Sequence, residues 1–171
     1  MGGKPWASEK NSWRILVLAS LAGGMAEVLW IATYSVAVDI SAWPVAHAIT
    51  ATFSSVWAEH SAGAAIGITI HFALSVLVAG LFIRLVWAPY LQRASATTTV
   101  ALSLLSLAAI WLINFSWVLP IVHPAFVDLL PPMITFISKL LFGLALSAML
   151  IRHTSSAQLL TTRFTKNARW V

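Results

Sequence analysis

The sequence predicts an all-α, polytopic membrane protein, a four-transmembrane-helix bundle with a short amphipathic helix in its longest outer loop. Three observations carry this. The 171-residue chain is 60% hydrophobic and only 9% charged, whereas a soluble domain carries about 25% charged residues. So few charges cannot cover a soluble surface. The apolar residues gather into four runs, each reaching the ~18 residues that read as a membrane span. The basic residues flank these runs on alternate sides only, which is a topology signal.

The first span is expected over residues 13–38 and the second over 63–87. The third is expected over 98–122 and the fourth over 131–151. Pro89 follows the second helix and Pro120 lies near the end of the third. Pro131 and Pro132 open the fourth, where a missing amide donor costs nothing. Trp13, Trp43, Trp57 and Trp87 lie near span ends, as expected of interfacial anchors. The length allows one transmembrane domain, residues 1–152, and a basic tail, residues 153–171, either disordered or resting on anionic lipid.

Lys4, Lys10 and Arg14 precede the first helix, and Arg84 and Arg93 close the second. Arg152, Arg163, Lys166 and Arg169 follow the fourth. The loops 39–62 and 123–130 hold no Lys or Arg. The positive-inside rule therefore puts both termini and the middle loop in the cytoplasm. The basic start resembles a signal peptide, but the apolar run behind it exceeds the ~7–15 residues of a signal h-region, so an uncleaved anchor is expected. Trp6 occupies the place where a myristoylation signal needs Ser or Thr. In the loop 39–62, Val45, Ile49, Phe53, Val56 and Trp57 recur at helical spacing. They suggest a helix lying on the outer surface or packed on the bundle.

Cysteine is absent, which excludes disulfides, thiolate metal sites and cysteine nucleophiles. The net charge of +5 flanks apolar runs instead of forming a patch, so no nucleic-acid partner is expected. No HExxH, GxSxG, P-loop or dinucleotide fingerprint occurs. The chain is read as non-enzymatic and without a cofactor.

One strongly polar residue lies deep in each span: Glu27, His71, Asn114 and Lys139. Counted from the outer helix ends at 1.5 Å per residue, all four fall roughly 12–17 Å deep, in one layer. Small and polar residues share their stripes. These are Ser20, Gly24 and Tyr34 on the first helix, and Gly63, Gly67 and Ser75 on the second. Ser103, Ser106, Ile110 and Trp117 accompany Asn114, and Thr135, Gly143 and Ser147 accompany Lys139. Such residues line bundle interiors because they admit close backbones and interhelical hydrogen bonds. An unpaired charge at a span centre costs about 2.5–3.5 kcal/mol, so Glu27 is expected to pair with Lys139.

Three readings of this layer stay open. As a scaffold it pins helix order and register. As a proton or solute site it uses His71, whose ordinary pKa lies near neutrality. As a metal site it uses Glu27 and His71, against the repulsion of Lys139. Asp39, His47, Glu59, His60, His123 and Asp128 are further metal-ligating types in the outer loops, without i, i+4 ligand spacing.

The stretches "ASLAGGMAE", "AAIGITIH", "WLINFSWVLPIVHP" and "LPPMITFISKLLFGLALS" resemble small bacterial four-helix inner-membrane proteins of unknown function. The resemblance covers most of the chain and implies a fold and a bacterial cytoplasmic membrane, but no activity. In that group the polar residue of the fourth helix is usually histidine, where this chain has Lys139. Locally, "MAEVLW" is similar to the surroundings of the membrane-embedded glutamate of small multidrug-resistance exporters. Those exporters have no buried lysine partner for it. The expectation is an accessory subunit of a larger membrane complex or a homo-oligomer in lipid. The competing class is a proton-coupled or small-solute channel or transporter using the layer.

Overall fold

The computed structural model describes residues 9–91 and 94–167, with side chains over 13–91 and 94–154. Lys4, Trp6, Arg93 and Arg169 lie outside the described residues, and Lys10, Arg163 and Lys166 fall where only the backbone is described. Among the described residues the chain is all-helical, with no strand.

Four helices are long and apolar enough to cross a membrane: Trp13–Ala37, Gly63–Leu91, Ala96–Val122 and Pro132–Thr154. The first belongs to α1 (Glu9–Ala37). The second is α4 (Gly63–Phe82), extended by a π-helical segment, Ile83–Leu91. The third is α5 (Ala96–Ile113), extended by a π-helical segment, Asn114–Val118, and by α6 (Leu119–Val122). The fourth begins α8 (Pro132–Asn167), whose backbone stays helical well into the predicted tail. Between these lie α2 (Trp43–Phe53), α3 (Ser55–Glu59) and α7 (Pro124–Val127).

Local chemistry sets the boundaries. α1 ends on Asp39, at φ 55°. The Ile40 amide donates to the Ser35 carbonyl at 2.9 Å and the Asp39 amide to Val36 at 3.4 Å, the bond pattern of a Schellman cap. Ser95 caps α5 by accepting from the Thr98 amide at 3.1 Å. The π-helical segments surround or precede Pro89 and Pro120. A proline lacks the amide that would close the preceding α-turn, and the ladder shifts register there.

The helices alternate in direction. The end bearing Trp13, Leu91, Ser95 and Thr154 is called basal here, and the end bearing α2, α3 and α7 distal. α1 packs along α8 and α4, and α8 packs along α5. α4 and α5 meet mainly at the basal end, through the π-helical segment of α4. Distally, α2 packs along α4 and also touches α7, and Thr52 of α2 meets His123 at the end of the third span, 3.0 Å away. The basal half is solid: Ala19, Ala79, Phe82, Leu107, Phe142 and Leu146 form its core together with Trp87 and Leu91.

The outer loop departs from the expected single amphipathic helix. Ser54 is extended (φ −160°, ψ 116°), ends α2 and caps α3. Val56 and Trp57 therefore sit on a separate, exposed turn, off the stripe of Val45 and Ile49. The face of α2 that packs is its small one, Ala46 and Thr50. A Cβ on Gly67 would run into the Ala46 carbonyl, so glycine is what lets α2 seat on α4. Trp13, Trp43 and Trp57 are exposed, whereas Trp87 is buried in the basal core and is no surface anchor.

Candidate functional site

Three of the four deep polar residues come together. Glu27 is 3% exposed, on the stripe of α1 that faces both α4 and α8. Its Oε1 lies 2.6 Å from the Lys139 Nζ. Its Oε2 lies 3.8 Å from the Nε2 of His71, too far for a hydrogen bond. His71 Nε2 is nearer the Gly24 carbonyl, at 3.3 Å, one turn from Glu27 on α1. Gly24 is buried at that approach, and Ser75 returns a hydroxyl bond to the His71 carbonyl at 2.9 Å.

Two tryptophans fasten α8 distal to this cluster. Trp30 Nε1 donates to the Ile134 carbonyl at 3.0 Å, and Trp111 Nε1 donates to the Thr135 hydroxyl at 3.0 Å. Ser138 Oγ lies 3.4 Å from Glu27 Oε1 but only 2.8 Å from the Thr135 carbonyl. Its one hydroxyl proton goes to the nearer acceptor, so Lys139 is the principal partner of Glu27. Ser138, Trp30 and Trp111 were not anticipated from the sequence. The available signal was position: Ser138 adjoins Lys139, and Trp30 follows Glu27 by one turn.

Asn114 is not brought into this cluster. Trp111 bonds Thr135, and Gly143 lies against Ser103. That antiparallel register sets Lys139 level with Leu107, and Asn114 about ten ångströms distal to it at 1.5 Å per residue. Counting inward from Val122 placed Asn114 too deep because that count assumes an unbroken α-helix ending at the same height as its neighbours. The π-helical segment also alters the phase of the stripe, since its turns hold more residues than α-turns. Trp117 is 69% exposed as a result.

The cluster forms part of the wall of a cavity of about 570 Å³ in the distal half. Asn114 lines the same cavity, together with Ile31, Leu74, Ile110 and Phe115. Its base is Leu107 and Phe142, each 1% exposed and part of the solid basal core. The Phe142 ring centroid lies 6.0 Å from Lys139 Nζ, at the outer limit of a cation–π contact. Ile68 and Leu74 of α4 and Val118 and Val122 of the third span also line it, and all four are exposed apolar residues. Trp43 and Phe53 of α2 line it too and are likewise exposed, so the exposed part of the lining is apolar.

The outer-loop histidines are used locally. His47 Nδ1 lies 2.9 Å from the Ala58 carbonyl, His123 Nδ1 lies 3.0 Å from the Thr52 hydroxyl, and His60 Nδ1 accepts from the Ala62 amide at 3.2 Å. Among the described residues, no three His, Asp or Glu side chains gather as a metal centre would need. Comparison of the chain with protein-family models, curated proteins and solved structures finds no match.

Proposed function

We propose that the chain is a non-enzymatic, multi-pass protein of the bacterial cytoplasmic membrane, with both termini cytoplasmic, that binds a small molecule within the bilayer. The observation that carries this reading is the cavity of about 570 Å³ with Glu27, His71 and Lys139 in its wall. Its size falls within the ~300–1,000 Å³ of small-molecule sites, and its apolar lining with few convergent polar groups fits them too. Ionisable residues are costly inside a membrane and usually mark a site of use. A scaffold alone needs the ion pair but no space beside it.

The same site leaves room for a transport role. The solid base formed by Leu107 and Phe142 speaks against an open pore, so passage of a solute would require the basal core to rearrange. A second reading follows from the exposed apolar faces of the long helices, such as Leu77, Leu81, Leu105 and Leu112. A helix of a larger complex, or of a second copy, would cover such a face, making the chain an accessory or oligomeric component.

Purification into lipid nanodiscs, followed by mass spectrometry of both extracted small molecules and co-purifying proteins, separates these readings. A stoichiometric small molecule supports the binding site. A stoichiometric protein partner with no small molecule favours the accessory role. Flux in proteoliposomes tests transport directly.

A further inference from the structure

We infer that the cavity selects a neutral, lipid-soluble molecule whose head carries an oxygen acceptor, a carbonyl above all. The head would meet Lys139 while the apolar body lies against the apolar lining of the cavity. This rests on the cavity being a ligand site.

The donors come first. An ammonium group carries three N–H donors. Lys139 spends one on Glu27 at 2.6 Å, and among the described residues no other hydrogen-bond partner of its Nζ is found. The lysine side chain is 24% exposed and lines the cavity. Unspent donors in an apolar surrounding cost free energy unless an acceptor meets them. Asn114 adds an amide on the same lining, also without a side-chain partner among the described residues. It opens the π-helical segment of α5, an irregularity often found at functional sites.

Charge then chooses the class of head. Glu27 and Lys139 cancel. A cationic guest would face Lys139, with Glu27 already engaged by that lysine. A carboxylate guest would leave a net negative charge in an apolar cavity, and each desolvated ion costs several kcal/mol. A neutral acceptor takes the free N–H groups and adds no net charge. The exposed lining fixes the rest: Ile68, Leu74, Val118, Val122, Trp43 and Phe53 are all apolar, so the body that lies against them is apolar.

The test uses the full chain in phosphatidylcholine nanodiscs, with thermal unfolding followed against increasing amounts of four probes: dodecyl methyl ketone, dodecane, dodecanoate and dodecylammonium. A bound ligand raises the melting temperature saturably. The ketone is expected to bind at least about tenfold more tightly than dodecane, the effect of one charge-assisted hydrogen bond. The paired change Glu27→Leu with Lys139→Leu removes the donors and both charges together and should abolish that preference. Ile110→Trp fills the cavity, leaves the ion pair in place, and should abolish saturable binding. Tighter binding of dodecanoate or dodecylammonium than of the ketone would overturn the neutral-acceptor class and leave the cavity a ligand site. No saturable binding of any probe, with Ile110→Trp melting above the native chain, would overturn the ligand site itself.

Discussion

Glu27 and Lys139 are separated by most of the chain yet lie 2.6 Å apart, and removing either one strands the other. Breaking a buried pair costs about 3–5 kcal/mol, whereas removing both members can be nearly neutral. Glu27→Ala and Lys139→Ala should each lower stability by roughly 3 kcal/mol or more, and the double variant by clearly less than their sum. Detergent-solubilised unfolding of the four proteins checks this, and simple additivity would mean the two are not coupled. His71 is held by the Gly24 carbonyl, a bond that a glutamine amide can also make. His71→Gln is therefore expected to change stability by no more than about 1 kcal/mol. Loss of a pH-dependent flux in a well-folded His71→Gln protein would instead assign the histidine to a proton relay.

The elements differ in how plainly the sequence announces them. The four long helices are legible because apolar runs of that length have few alternative fates. Glu27, His71 and Lys139 as the notable side chains are legible because charge and imidazole stand out against leucine and alanine. The break at Ser54 was not legible: the apolar spacing runs through it unbroken, and the break comes from one extended residue whose hydroxyl caps α3. The offset of Asn114 was hidden because periodicity assumes an α-helix, and the π-helical segment is not one. The Gly63–Gly67 spacing reads as a contact between long helices, while its partner is the short α2. Gly67→Ala should therefore cost about 1–3 kcal/mol by overpacking against the Ala46 backbone and expose the loop 39–62 to protease. Gly80→Ala meets only Leu16 Cδ1, at 3.6 Å, and should gain up to about 1 kcal/mol from helix propensity. Thermal melts of the two variants should move in opposite directions.

For the whole molecule, orientation is the property on which the functional reading depends, since it decides which side the cavity-bearing half faces. Arg14, Arg84 and Arg152 belong to the basal end, and the loops 39–62 and 123–130 to the distal end. The absence of native cysteine allows single cysteines to be introduced without background. Cysteines in either loop should react with a membrane-impermeant maleimide applied from outside the cell. Labelling from the cytoplasmic side alone would reverse the orientation and turn the cavity-bearing half toward the cytoplasm.

The separation of Glu27 from Lys139 along the chain also has a consequence for biosynthesis. α1 is made before α8, so Glu27 is synthesised more than a hundred residues before its partner exists. At about 5–20 residues per second that interval lasts of the order of ten seconds. During it the nascent chain carries an acidic group whose partner lysine, Lys139, does not yet exist. Arrival of α8 ends this state, so synthesis of the fourth long helix coincides with the pairing of Glu27. A chain stopped after residue 130 would keep the signature of an unfinished protein. It should be degraded faster than the 171-residue chain in a pulse-chase experiment, and Glu27→Gln should lengthen the lifetime of the truncated form but shorten that of the 171-residue chain, where it strands Lys139.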